Sequence, residues 1–473
     1  MKLHLVSDEL HSSDRPKLGL GYLASYLRKN NPGIELSLSF ASDDLKADLQ
    51  REKPDIVGFS SMTHAFKMQT EKAKMVKDKF GLPIIFGGVH ISLTPNALPK
   101  FVDVGVISEG EEVLSRLLRD YQKGLAFAKA SVGKLKNKKI SSLVFWEKDK
   151  LVVTGPPLLV EPIDKIPSPD WDFLRVGKNG PGHIMTSRGC PYRCRFCEAG
   201  NFWKKYRAHS AEYVVEEVEK IYKRYGRGEL VIMDDLFFVN KVRLEKITDL
   251  LEGKGLSKKM RFEVIGRADL FNEEIVRILK RMNVFAISFG MESGSERILR
   301  YLKNETVTLE QIRKATLLAK KYKMQVLGTF MVGTPGETEE DIRKTIEFIK
   351  ELDLDQVGVN VTTPFPGTQL WEEAKKKGLV KEDLWDDRLW AMRDVNDGNV
   401  NDKLLLTDLS REKFWKLAKE MFALQDWTHR RRRNQQLFRE FKKEKSPVQL
   451  LKFIAHSFKR PKETLYNFKH GGF

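Results

Sequence analysis

Two stretches of this 473-residue chain alternate short β-prone runs with amphipathic helical patterns, and a proline-dense segment separates them. That alternation limits the fold more than any single motif. Strands spaced by helices pair in parallel, with helices covering the sheet faces. In the first stretch the β-prone runs are Lys2–Ser7, Glu35–Phe40, Asp55–Ser61, Pro83–Gly88 and Asp103–Ser108. Helical patterns lie between them at Leu20–Lys29, Gln69–Phe80 and Glu111–Tyr121. In the second stretch the runs are His183–Ser187, Glu229–Asp234, Arg261–Arg267, Val284–Gly290, Gln325–Val332 and Gln356–Thr362. The pattern predicts an α/β fold: an N-terminal doubly wound parallel sheet, then a partial (β/α)6 barrel and a C-terminal helical extension. Ligands of such folds sit beyond the carboxyl ends of the strands. In the first sheet the loops there are Pro16–Gly21, Ser60–Thr63, Gly87–His90 and Ser108–Glu111.

Residues 141–155 read as a hairpin around a charged turn. Pro156, Pro157, Pro162, Pro167, Pro169 and Pro181 then block regular structure. The expected division is therefore 1–140 for the first domain, 141–182 for hairpin and linker, 183–384 for the barrel, and 385–473 for a helical, basic extension. Apolar residues at 41% and charged residues at 31% describe a soluble globular chain rather than a disordered one. No apolar run approaches the ~18 residues of a membrane span. The opening MKLHLVSDEL turns acidic too soon for a signal peptide, and three cysteines build no disulfide framework. The expected location is cytoplasmic.

The formal charge of +18 is uneven: residues 427–473 hold 13 Lys+Arg and 3 Asp+Glu, or +10. His429-Arg-Arg-Arg-Arg433, Lys442-Lys-Glu-Lys445 and Lys459-Arg460 are interleaved with Leu437, Phe438, Phe441, Leu450, Phe453 and Phe458. Such a mixture suits a helical tail capping the barrel, or peripheral contact with an anionic membrane surface. Nucleic acid is not expected, since no RNA-binding motif accompanies it.

All three cysteines fall within Cys190-Pro-Tyr-Arg-Cys194-Arg-Phe-Cys197, just after a β-prone run. Three thiolates on one short loop can hold three irons of a [4Fe–4S] cube and leave the fourth for another ligand. A zinc site would need a fourth donor, and His209 is twelve residues on.

The cysteine spacing, with Phe196 before the last cysteine, resembles the cluster loop of radical S-adenosylmethionine (SAM) enzymes. Met233-Asp-Asp-Leu-Phe-Phe238, Gly266-Arg-Ala-Asp269, Gly290-Met-Glu-Ser-Gly-Ser-Glu296 and Phe330-Met-Val-Gly-Thr-Pro-Gly-Glu337 are similar to the later strand-end motifs of that superfamily. The resemblance covers roughly residues 180–370. It implies a [4Fe–4S] cluster on Cys190, Cys194 and Cys197, and SAM contacts from Phe196, Asp234, Asp235, Arg267, Glu292 and Gly333. A cation for the methionine carboxylate and acceptors for its ammonium suit that zwitterion.

Pro16-Lys-Leu-Gly-Leu-Gly-Tyr-Leu23, Asp55-Ile-Val-Gly-Phe-Ser-Ser61, Phe86-Gly-Gly-Val-His90 and Ser108-Glu-Gly-Glu-Glu112 resemble the cobalamin-binding, Rossmann-like domain that precedes the barrel in one subfamily. Its implied contacts are Ser60, Ser61, Thr63, Gly87, Gly88, Glu109 and Gly110. The D-x-H-x-x-G motif is absent, because Asp8 and His11 are one residue too far apart and Ile-Ser-Leu follows His90. The resemblance therefore implies cobalamin held without a histidine beneath the cobalt.

The expected function is reductive cleavage of SAM to a 5′-deoxyadenosyl radical, with cobalamin-dependent C-methylation of an unactivated carbon. No catalytic side chain beyond the cofactors stands out. Oxidative cyclisation, or remodelling of a porphyrin or lipid, is the alternative in the same subfamily. A tail-driven membrane- or RNA-binding protein with a structural metal site is the alternative of another class. Methylthiotransferases need further cysteines, and residues 1–189 hold none. Expected partners are a small-molecule or lipid-like substrate and an external electron donor such as flavodoxin or ferredoxin.

Overall fold

The computed structural model describes residues 1–8, 12, 16–123, 140–380 and 405–444, with side chains through 435. So far as those residues are described, the chain divides into two compact units. The first takes in Met1–Ile265, Arg277–Val284 and Thr363–Leu404; the second takes in Gly266–Val276, Phe285–Thr362 and Leu405–Phe473.

The first unit begins with five parallel strands: β1 (Lys2–Ser7), β2 (Glu35–Ser39), β3 (Ile56–Ser60), β4 (Ile84–Gly87) and β5 (Val104–Val106). Their spatial order is β2-β1-β3-β4-β5, the doubly wound arrangement. Residues such as Leu3, Leu5, Val6, Ile56, Val57, Ile84 and Phe86 are buried. Near-continuous apolar runs of this kind are what a sheet covered on both faces requires. On one face Phe59, Phe66, Val76 and Ile91 join Val57 and Phe86 in a single apolar cluster.

The hairpin β6 (Leu143–Glu147) and β7 (Lys150–Thr154) belongs to this sheet. Strand β6 pairs antiparallel with β5, placing Val144 opposite Gly105 and Leu143 opposite Val106. The indole of Trp146 donates to the Leu98 carbonyl at 2.7 Å. Alternation in the sequence gives the hairpin but not its neighbour, so this attachment appears only in the structure. The proline-rich stretch then packs back on the helix Leu18–Asn30, where Ser25 donates to the Ser168 carbonyl at 2.6 Å.

Next come β8 (His183–Ile184), β9 (Ser187–Arg188), β10 (Arg207–Ala208), β11 (Glu229–Ile232) and β12 (Arg261–Gly266). Strands β8, β11 and β12 run parallel, while β9 and β10 form a short antiparallel ladder. The expected strand His183–Ser187 is thus two short strands, broken at Met185–Thr186 by hydrogen bonds described below.

The second unit holds β13 (Val284–Glu292), β14 (Gln325–Val332) and β15 (Gln356–Val361), again parallel. Its helices start with strong caps: Thr308 with Gln311, and Thr338 with Asp341, form reciprocal capping boxes. The long helix Arg411–Glu444 runs along β15. Gln425 accepts from the Val359 N–H at 2.6 Å and Thr428 from the Val357 N–H at 3.0 Å. Arg431 bonds Asp353 and the Leu354 carbonyl, and Arg432 bonds Gln356. Two cations of the basic run, expected either to cap the barrel or to meet a membrane surface, are therefore spent on the strand β15 side of the second unit. Residues 445–473, with Lys445, Lys459 and Arg460 of that patch, lie outside the described residues.

Candidate cofactor sites

The three cysteines sit on the loop between β9 and β10. Gly189, which opens it, has φ +85°, and a Cβ there would lie 2.7 Å from the Lys205 carbonyl oxygen. Only glycine fits this left-handed close approach. The Gly189 N–H donates to the Asp235 carboxylate. The Cys197 N–H closes the loop on the Cys194 carbonyl at 3.1 Å. Cys190, Cys194 and the half-buried Phe196 are partly covered, whereas Cys197 is exposed. The Cys197 thiol is pushed up to about 12 by desolvation, reinforced by Cys194, Asp235 and Cys190. A group exposed in area yet surrounded by protein sits in an open concavity. Three thiols within eight residues of one loop are the soft donors that a [4Fe–4S] cluster takes, so in their chemistry these residues fit a cluster. Beside them a polar cleft is lined by Tyr192, Asn201, Thr368 and Glu372, with Cys194 and Cys197 at its edge.

His209 is not near this donor set by bonding. It is 2% exposed, stacks on Tyr213 at 3.9 Å, and places Nδ1 3.0 Å from Asp164. Burial lowers its imidazole to about 4. The fourth donor considered for zinc is thereby engaged as a core histidine.

Asp234 and Asp235 follow β11 and have opposite surroundings. Asp234 is 1% exposed. It accepts four hydrogen bonds, from the N–H and Oγ1 of Thr186 at 2.6 Å each and from the N–H and Oγ of Ser187 at 3.0 and 2.7 Å. The sequence suggested a SAM contact here; the geometry makes Asp234 the tie that breaks β8 from β9 and sets the start of the cluster loop. Asp235 is solvent-exposed by area but, like Cys197, held in the concavity, and desolvation with Asp234 beside it raises its carboxyl to about 6.

The other three SAM candidates lie in the second unit. Arg267 is 7% exposed and donates to Asp269 at 3.0 and 3.2 Å and to Thr306 at 2.9 Å. Glu292, at the bulged end of β13 with φ +59°, is buried against Lys303 at 2.7 Å. Gly333 follows β14, and its N–H donates to Glu337 Oε2 at 2.6 Å. Lys303 escaped the sequence reading because a lysine in an ordinary helical pattern carries no mark of its buried partner.

A third concavity opens at the carboxyl ends of the N-terminal sheet. Of the cobalamin candidates, Ser60, Gly87, Gly88, Glu109 and Gly110 line it, beside Leu20, Leu114 and Trp203. Ser61 and Thr63 do not. Ser61 turns its hydroxyl to the Met62 carbonyl at 2.9 Å, and Thr63 lies 3.3 Å from His90 Nδ1. Gly88, at φ +99°, lets the chain pass where a Cβ would stand 2.5 Å from the Ser61 oxygen. His90 is fully buried, packs tilted against Phe66 with ring centroids 4.0 Å apart, and is lowered to about 3 by burial. It is a core residue, consistent with the absent D-x-H-x-x-G motif.

Glu109 lines the cleft, but its carboxylate is committed elsewhere. It meets Arg188 at 3.0 Å, Arg207 at 3.1 Å and the Val160 N–H at 3.3 Å. Burial would raise its carboxyl, yet Arg188 and Arg207 outweigh that and hold it below the usual range. Glu111 takes the other arm of Arg188 at 2.7 Å. Arg188 is 4% exposed and lies over the rings of Tyr22 and Trp203 at 5.4 and 5.2 Å. Two carboxylates from the β5 loop thus grip the residue that precedes Gly189-Cys190. Sequence reasoning missed Arg188, whose one signal was a cation in an apolar strand beside the cysteine loop.

The comparisons with known proteins agree with this geometry. A radical SAM superfamily model matches residues 184–349, and a B12 binding domain model matches residues 12–118. The uncharacterized methyltransferase PH0819 of Pyrococcus horikoshii is 33% identical over 385 residues, spanning 78% of this chain and 81% of that protein. The anaerobic magnesium-protoporphyrin IX monomethyl ester cyclase of Cereibacter sphaeroides is 25% identical over 403 residues, spanning 79% of this chain and 64% of the cyclase. The fold is similar to that of the radical SAM methyltransferase TsrM from Kitasatospora setae, solved with cobalamin and a [4Fe–4S] cluster. That match has a TM-score of 0.65 and 19% identity, and covers 80% of this chain and 75% of that one. No helix among the described residues is long and apolar enough to cross a membrane. With its doubly wound N-terminal domain, partial barrel and C-terminal helix, the chain belongs to the radical SAM superfamily, in the branch that carries an N-terminal B12-binding domain.

Proposed function

We propose that this enzyme is a cobalamin-dependent radical SAM methyltransferase acting on an unactivated carbon of a small molecule. The observation that carries the reading is the Arg188 clamp, which ties the cleft of the B12-binding domain to the first turn of the cysteine loop. When bound, the cluster supplies the electron that cleaves SAM, and cobalamin carries the methyl group to be transferred. The chain's own residues bind and orient. Cys190, Cys194 and Cys197 hold the cluster, with Phe196 shaping the loop, and Asp235 accepts the SAM ammonium. Asp234 and Arg188 position that loop without touching a ligand. In the second unit Arg267 and Glu292, each with a protein partner, set the charge at their strand ends, and Gly333 lets backbone approach the adenine. Ser60, Gly87, Gly88 and Gly110 line the cobalamin cleft.

An external one-electron donor of the flavodoxin or ferredoxin kind would reduce the cluster. The cyclase relative favours oxidative ring closure as a second reading, over a smaller share of that protein's length. Anaerobic purification, with iron, sulfide and cobalamin assays on one sample, tests the proposal. About four irons per chain with one cobalamin, and SAM-derived methyl in a product, are expected. Zinc in place of iron would overturn it. Iron without cobalamin, even after reconstitution, would remove the methyltransferase reading and keep the radical SAM one.

A further inference from the structure

A further cleft in the first unit shares no residue with the cysteine loop or the cobalamin cleft. It lies between the linker and the helix Ala211–Tyr225, walled by Pro169, Trp171, Ile221 and Tyr225. Its polar centre is Glu217. That residue is 2% exposed, and its Oε1 is buried without a hydrogen-bond partner. A buried carboxyl lacking partners costs several kcal/mol unless something compensates it.

The other acidic groups around it are already engaged. At the rim Lys220 pairs with Glu216 at 3.2 Å, Lys223 and Lys254 share Glu219 at 2.7 and 2.5 Å, and Arg224 pairs with Asp172. In the linker Asp170 is held by Arg28 at 2.9 Å. From the helix Leu18–Asn30, Tyr22 faces Glu217 but donates its hydroxyl to the Met185 carbonyl at 2.9 Å. Tyr213 and Lys220 face it from its own helix. An ionised Glu217 therefore has no ion-pair partner among the described residues. Its complement is a single positive charge, and the aromatic walls favour a cation carried on a flat apolar body.

We propose that this cleft binds a small organic monocation, a primary ammonium group on an apolar, aromatic body, with Glu217 as its counter-ion. Burial pushes the Glu217 carboxyl up to about 8, so near neutral pH it is mostly protonated when the cleft is empty. Binding an ammonium ion then displaces that proton to solvent. Affinity rises as pH climbs toward 8, because the proton is given up more readily.

The probe is 2-phenylethylamine, with 2-phenylethanol as its neutral counterpart, titrated calorimetrically into the full chain at about pH 6.5 and about pH 8.5. The expected result is saturable one-site binding of the amine that tightens at least about tenfold at the higher pH. Glu217→Gln should weaken it about tenfold or more with an unchanged near-UV spectrum. Ile221→Trp fills the cleft and leaves Glu217 in place, so it should abolish binding even if the first variant fails to fold. Absence of saturable binding to the native chain would overturn the proposal. So would binding undiminished by Ile221→Trp, or an alcohol that binds as well as the amine at both pH values. Iron and cobalamin contents of the same samples report separately on the cofactor reading.

Discussion

Buried charge does opposite work at the cysteine loop and at the strand ends of the second unit. Around the loop, Arg188 and Asp234 reach across elements and exhaust their bonds on backbone and on other buried groups. Of the groups left in the concavity, Cys197 and Asp235 have their proton affinity raised first by desolvation, with Cys194, Asp235 and Cys190 adding to it at Cys197 and Asp234 adding to it at Asp235. In the second unit, Glu292 and Arg267 sit at motif positions and still find protein partners in Lys303, Asp269 and Thr306. A motif names the position. The partner list tells whether the side chain there builds the site or faces its ligand.

Several substitutions would sharpen or break that contrast. The largest effect is expected at the loop: Cys190→Ala, Cys194→Ala or Cys197→Ala should each take iron content from about four per chain to near zero, read by iron and sulfide assay with EPR. Arg188→Met should come next. It leaves Glu111 without its buried cation and takes one of two guanidinium partners from Glu109, a loss of about 3–5 kcal/mol by chemical denaturation, together with weakened retention of cobalamin. Stability unchanged by that substitution would show that the clamp carries no load.

The adjacent carboxylates give the direct comparison. Asp234→Asn trades an acceptor for a donor against four donors and should cost about 2–4 kcal/mol. Asp235→Asn should leave the melting temperature within about 2 °C while weakening SAM binding by equilibrium dialysis. If both variants behave alike, the distinction between positioning and ligand-facing groups fails here.

A pH titration probes the buried histidines of the first unit. His4, His90 and His209 are buried there, with imidazoles lowered to about 4, 3 and 4, in each case first by desolvation. The unfolded chain takes their protons near the ordinary value of 6.5. Their stabilisation is thus full above that pH and declines as pH falls through it toward 4. The slope is about 1.4 kcal/mol per pH unit for each histidine. Glu217 and Asp235, raised to about 8 and about 6, gain stability over the same fall, so the histidine loss is read by comparing the native chain with His90→Gln. Between about pH 7 and about pH 5 the denaturation midpoint of the native chain should fall further than that of the variant. The smallest effect is expected at Thr428→Val, which strips the Val357 N–H of its acceptor for about 1–2 kcal/mol.

Much of this was legible in the sequence. The apolar runs that became β1, β3, β4, β14 and β15 were long enough to mark strands, and three cysteines in eight residues marked the loop. What stayed hidden was partnership over long separations. Arg188 meets residues 77 and 79 positions away, and Asp234 finds Thr186 at a separation of 48. Composition and spacing hold no record of such pairs, because they are fixed by strand order and not by local propensity. The hairpin's attachment to β5 was invisible for the same reason. Ser61 and Thr63 looked like ligand contacts because small polar residues at a strand end suit a loop, a core bond and a binding cleft equally.

The helix that runs along β15 bears on how this protein would tolerate shortening. An unpaired strand edge offers a row of N–H and C=O groups to any passing chain, and proteins commonly shield it. Here the shield is a set of side chains, Gln425 and Thr428 above all, that answer the backbone of β15 in place of another strand. Cutting the chain before Gln425 would unmask that edge and invite self-association, whereas ending it beyond Arg432 would keep the edge covered. Within this basic helix, then, the residues up to Arg432 serve as insulation against aggregation, whatever charge they carry.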